Sequence, residues 1–250
     1  TDTQEEFICQ NLKPNVNPKF IYKNLSPTIV KRRYVENYLI RKLFEVYMMD
    51  DRELTDAENS QLCATLESMV PNYDVVIVAD YGHGMLTEEA RDVLSYKSKF
   101  LAVNCQANAG NRGFHTIGKY KRADFASLTR YEMALEERYQ PGDIKDMAKN
   151  LSRKLGDADV MVTLGKLGNL CFSKGEGFTE SPALTRQVLD SMGAGDSVLS
   201  IVALLMAQQI PLDLIGFVAN VVGAEAVATL GHSDSIEKVP LYRHITSYLK

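Results

Sequence analysis

A chain of 250 residues, 45% apolar and 24% charged, can bury most of its unfolded surface in one core and has the balance of a globular protein. Its formal net charge of −4 argues against a nucleic-acid partner, because such proteins carry a basic face. No apolar run approaches the roughly 20 residues of a membrane-spanning helix, and the opening TDTQEEF has neither a basic leader nor an apolar stretch, so no membrane association is expected. Cys9, Cys63, Cys105 and Cys171 lie far apart and form no CxxC pair; they read as buried thiols of a reducing, cytoplasmic protein.

In chain order, a short charged helical segment opens the sequence. TIVKRRYVE (28–36) and KLFEVYMMD (42–50) follow, with strand-type residues interleaved with charges, which predicts a small flap of sheet within 27–50 that is exposed on one face. DAENSQLCATLESMV (56–70) predicts a helix. From Asp74 the pattern alternates: DVVIVAD (74–80), FLAVN (100–104), ADFASLT (123–129) and DVMVTLG (159–165) are strands. Helices are expected from Leu86 and from Arg130. Such βα units predict an α/β fold with a mostly parallel sheet flanked by helices, which gathers ligands at the carboxyl ends of its strands. NLCFSK, GFTE and LTRQVLD, within 169–190, predict antiparallel strands and turns, and the remainder is mostly helical, with one helix expected from Asp196 onward. The expectation is one domain over 1–250.

The chemistry concentrates in DSMGAGDSVLS (190–200), where two glycines and an alanine precede a long apolar helix. Small residues at a helix start let backbone N–H groups approach an anion closely, and the helix dipole favours negative charge there. Asp196, directly after the glycines, could take the proton from a hydroxyl attacking a γ-phosphate; read without context, it could equally cap its helix.

This stretch resembles the DTxGAGD signature of the ribokinase-like (PfkB) carbohydrate kinases. VTLGKLG (162–168) resembles the family's VTxGxxG turn, and VANVVGAEAVATLG (218–231) resembles its ANxxAxxxVxxxG helix, with Gly223 in place of the second Ala. VVIVADYGHGMLT (75–87) and PTIVKRRYV (27–35) are similar to segments of the heptose-phosphate kinase domains of bifunctional ADP-heptose synthases. The resemblance implies ATP-dependent phosphoryl transfer to a hydroxyl of a sugar or sugar phosphate, with Asp196 as base and Gly193, Ala194 and Gly195 as the anion hole. It implies ATP and Mg2+ as cofactors, with Glu132 on the metal and Asp190 beside a monovalent cation such as K+. Thr163, Gly165, Gly168 and Asn220 would border the nucleotide. Lys31, Arg33 and His83 would meet the substrate, His83 only if protonated.

Family chains open with a strand carrying an acidic sugar ligand and, further on, a GG pair. Neither occurs here, so the chain is expected to be N-terminally incomplete. Asn104 and Gln106 replace a carboxylate and an ammonium of the family's VDPK, and Thr129 replaces the Asn of its NxxE. These departures keep a second reading open, a nucleotide-binding or scaffolding relative with impaired turnover. Ile29, Val35, Leu43 and Val46 need cover on the flap, which suggests a homodimer through it.

Overall fold

The computed structural model describes residues 4–36, 41–111, 113–138, 142–185, 187–229 and 235–249. Two sheets organise these residues. Strands β1 (Val30–Glu36) and β2 (Arg41–Met48) form an antiparallel ribbon with Lys31 opposite Tyr47 and Arg33 opposite Glu45, and with a register shift between Tyr34 and Val35. This ribbon is the expected flap. Its outward side shows Tyr34 and Phe44 stacked at 4.5 Å, with Leu43 and Val46 exposed nearby.

The larger sheet has six strands in sequential order: β3 (Val76–Asp80), β4 (Leu101–Cys105), β5 (Phe125–Thr129), β6 (Asp159–Thr163), β7 (Asn169–Ser173) and β8 (Gly177–Ser181). The first four run parallel, and β7 and β8 add two antiparallel pairings. Strand residues alternate between two cores. Val103, Val160 and Val162 face a layer that includes Leu94, Met133 and Leu151, while Ala102, Phe125 and Met161 face Val198, Val202, Ile215 and Val222. Helices α3 (Glu88–Lys97), α4 (Arg130–Glu137) and α5 (Ile144–Lys154) thus cover one face, and α6 (Ala194–Ala207) and α7 (Leu212–Val227) the other. That double cover is why the parallel strands are almost wholly apolar. α1 (Glu5–Asn11), α2 (Asp56–Met69) and α8 (Lys238–Tyr248) complete the described elements.

Local chemistry sets the helix starts. Thr55 and Thr129 each close a capping box with the glutamate three residues on, Glu58 and Glu132, so each side chain satisfies an amide at the helix entry. Three expectations are corrected. LTRQVLD forms no strand among its described residues. The helix expected from Asp196 begins two residues earlier, at Ala194, because Gly193 adopts φ 73°, a left-handed conformation that turns the chain into the helix at once. Of the four thiols only Cys105 and Cys171 are buried; Cys9 is exposed and Cys63 half-buried. No helix among the described residues is long and apolar enough to cross a membrane.

Candidate active site

The carboxyl ends of β3, β4 and β5, the start of α6 and the inner face of the flap enclose a cleft of about 620 Å³. Gly193, Gly195 and Asp196 line it from α6, Asn104, Gln106, Thr129 and Glu132 from the strand ends, and Lys31, Arg33 and Tyr47 from the flap. Two-residue periodicity puts these flap residues on one side, since Lys31 pairs with Tyr47 and Arg33 with Glu45, and leaves Tyr34 and Phe44 on the other.

Asp196 occupies the first turn of α6, where the earliest N–H groups of a helix have no intrahelical acceptor. A Cβ added to Gly195 would meet nothing within 4 Å, so the backbone here stands open to an approaching anion. Opposite, the Tyr81 hydroxyl donates a 2.9 Å hydrogen bond to Asp196 Oδ2. Burial, followed by the Asp196 charge, raises the Tyr81 phenol to about 12, so it remains a proton donor at neutral pH. Lys31 Nζ stands 4.6 Å from the centre of the Tyr81 ring and 5.0 Å from that of Tyr47, and burial lowers its pKa.

Glu132 is buried, and its oxygens are engaged. Oε2 accepts from the Thr129 N–H at 2.8 Å and the Thr129 hydroxyl at 2.9 Å, and Oε1 accepts from the Ala107 N–H at 3.1 Å. The threonine that replaces the family's asparagine therefore builds the helix cap. Asn104 likewise donates to the Ser127 carbonyl at 2.8 Å, bracing adjacent strands.

Arg33 Nε is held 2.6 Å from Glu45 Oε1. Both ring nitrogens of His83 are buried without a hydrogen-bond partner. Burial first, then the charges of Lys31 and His115, hold the imidazole below its ordinary 6.5, so the protonated form expected to meet a phosphate is disfavoured. His83 lines the cleft together with Lys31 and Arg33.

The remaining expected residues lie outside this lining. Asp190 Oδ1 accepts from the Met192 N–H at 3.0 Å, shaping the turn before α6. Ala194 is the first residue of α6. Thr163 ends β6, and Gly165 (φ 60°) opens the turn after it. Gly168 and Asn220 meet one segment: a Cβ on Gly168 would come within 2.0 Å of the Ser181 carbonyl oxygen, and the Asn220 amide donates to the Ser181 and Pro182 carbonyls at 3.0 and 2.8 Å. Both tie the β6–β7 turn and α7 to the exit of β8.

Sequence reasoning missed Tyr81 and Tyr47 as cleft residues. Tyr81 could have been found from its place directly after β3, at the carboxyl end of a parallel strand. It also missed the clamp around Tyr81. The Asn108 and Asn111 amides donate to the Tyr81 carbonyl at 2.8 and 3.1 Å, and Asn111 donates to the Gln106 carbonyl at 2.7 Å.

Comparisons with known proteins agree with this architecture. Residues 120–239 match the pfkB family carbohydrate kinase model. The chain is 27% identical over 187 residues to the bifunctional protein HldE of Desulfatibacillum aliphaticivorans, covering 72% of this chain and 37% of that one. It is 26% identical over 254 residues to the bifunctional protein HldE of Koribacter versatilis, covering 99% and 50%. The chain thus spans half or less of the length of these two relatives. Among solved structures, ribokinase from Thermotoga maritima superposes with a TM-score of 0.65 at 16% identity, covering 90% of this chain and 70% of that one. Phosphofructokinase-2 from Escherichia coli, in complex with substrates and products, gives 0.64 at 14%, covering 83% and 67%. The chain has the ribokinase-like fold, and its residues 120–239 match the pfkB family carbohydrate kinase model.

Proposed function

We propose that this chain carries the phosphoryl-transfer site of a sugar or sugar-phosphate kinase that uses ATP and Mg2+. The observation that supports it most is the Asp196 carboxylate in the first turn of a glycine-started helix, accepting a hydrogen bond from the Tyr81 hydroxyl as a base would accept one from an acceptor alcohol. The Gly195 and Asp196 N–H groups would hold the transferred phosphoryl oxygens, and Asp196 would take the acceptor proton. The donor set suits magnesium bound through water, because Glu132 Oε1 gives one lone pair to Ala107 and keeps another. The metal would neutralise charge on the phosphates. Lys31 and Arg33 favour an acceptor with an anionic group, such as a heptose phosphate. Thr163, Gly165, Gly168 and Asn220 border the nucleotide in this reading, Asp190 neighbours a monovalent cation, and two copies pair through the outer side of the flap.

A second reading, a nucleotide-binding relative with weak turnover, is favoured by the use of Asn104 and Thr129 as structural braces. Radiolabelled transfer from ATP to a panel of sugars and sugar phosphates, run beside nucleotide-binding calorimetry, separates the two. Transfer to at least one acceptor that disappears in Asp196→Asn supports the kinase. Binding without transfer in the full-length protein supports the relative.

A further inference from the structure

Beneath the floor of the cleft lies a second cluster that this function does not use. Asp80 and Cys105 are register partners at the carboxyl ends of β3 and β4, and His115 reaches them from the loop before β5. One ligand atom from each of the three lies within 4.8 Å of the others, and all three residues are buried, at 5%, 2% and 7% exposure.

His115 Nε2 sits 3.0 Å from Asp80 Oδ1, yet this buried nitrogen has no hydrogen bond of acceptable direction. Two ligands of one small ion stand this close to each other. Each would then lie about 2.0–2.2 Å from the ion. The surroundings also suit an ion. The Tyr120 hydroxyl and the Gly82 N–H donate to the two Asp80 oxygens at 2.9 and 3.0 Å, which orients the carboxylate as outer partners orient metal ligands. Gly82 has no side chain, and a Cβ there would fall 2.5 Å from the His115 ring.

We propose that Asp80, Cys105 and His115 form a buried structural site for a thiophilic divalent cation, zinc in the first place. Histidine, thiolate and carboxylate are the ligand types zinc takes, and one carboxylate plus one thiolate neutralise a dication in a dry setting. Binding breaks the Cys105 S–H bond, forms the zinc–sulfur bond and releases the proton to solvent. For Nε2 to bind the ion the His115 ring must carry its proton on Nδ1, so the exposed Lys119, 3.4 Å from that nitrogen, turns out into water. Because binding releases the Cys105 proton, affinity rises with pH. The ion would pin the two strand ends from which Tyr81 projects toward Asp196.

The test needs no kinase activity. The whole chain, stripped with chelator and reloaded with zinc or cobalt(II), is expected to hold one equivalent through desalting, melt at higher temperature than the stripped form, and show a thiolate-to-cobalt charge-transfer band. Cys105→Ser should remove that band and weaken zinc by at least the about tenfold that losing even an outer partner costs. Cys9→Ser and Cys63→Ser should keep it. A wild-type chain with neither the band nor retained metal overturns the proposal, as does a band that follows Cys9 or Cys63. If Cys105→Ser fails to fold, a wild-type band that survives the double replacement Cys9→Ser and Cys63→Ser, together with His115→Gln shifting it, still decides for the site, and its loss decides against.

Discussion

At position 196 two demands meet in one side chain. A carboxylate in the first turn of a helix is favoured by the dipole whatever else it does, so its presence alone says little. The 2.9 Å bond from Tyr81 adds information, because a helix-start aspartate does not need a half-buried phenol facing it across a cleft. Asp196→Asn is expected to lower phosphoryl transfer by about 10²–10⁴-fold, the range for removing a general base, while nucleotide affinity measured by calorimetry stays within about twofold. Tyr81→Phe removes a hydrogen bond to a charged acceptor and should cost about 1–2 kcal/mol in urea unfolding, less than a fully buried bond because the residue is only half-buried. The pH dependence has a definite sign. Tyr81 keeps its proton to about 12 when folded but ionises near 10.0 when unfolded, so above 10.0 the folded state holds more protons and stability falls as pH rises. The stability gap between wild type and Tyr81→Phe should therefore narrow between pH 10 and 12; a constant gap would mean that the phenol is not held as described.

Turns and helix starts carry the next level of meaning. Gly195→Ala places a methyl group in open space within a helix, so it should raise stability by about 0.5–1 kcal/mol while it narrows the approach to the first-turn amides and weakens nucleotide binding. Gly168→Ala should do the reverse, lowering the urea midpoint by an amount equivalent to about 2 kcal/mol or more, since φ 101° and a 2.0 Å approach to the Ser181 oxygen leave no room. At this scale the sequence was informative where burial imposed a pattern. The near-continuous apolar runs at 76–80, 101–105, 125–129 and 159–163 read as buried strands, and all four are strands; 101–105, 125–129 and 159–163 are covered on both sides, while Ile77 and Ala79 leave one face of 76–80 exposed. The antiparallel pair after them was readable from its Gly-punctuated runs. LTRQVLD misled because its alternating apolar residues describe a composition, and a strand also needs a partner; β8 already closes that end of the sheet. Glu132 and Asn104 line the cleft, but their bonds to Thr129, Ala107 and Ser127 depend on neighbours brought in by folding, which no local pattern encodes. Tyr81 went unread for the same reason: its partner lies 115 residues away.

For the whole molecule, the two sheets differ in what supports them. The six-stranded sheet is packed on both faces, whereas β1 and β2 pair only with each other, and an isolated two-stranded ribbon is marginal in water. If two copies pair through the ribbon's outer apolar side, as proposed, Phe44→Glu is expected to shift the chain toward monomer in light scattering with little change in the melting of the six-stranded body. An unchanged mass would remove the flap from the interface.

The flap has one more consequence, which concerns water. Lys31, Arg33 and Tyr47 line the flap side of the cleft that holds Asp196, and Lys31 stands over the rings of both Tyr47 and Tyr81. A kinase whose base faces a loosely hung wall risks spending its nucleotide on the solvent. Fidelity toward the alcohol over the far more abundant hydroxyl of water would then be a property of how long that wall stays shut, set by a ribbon that carries neither the base nor the anion hole.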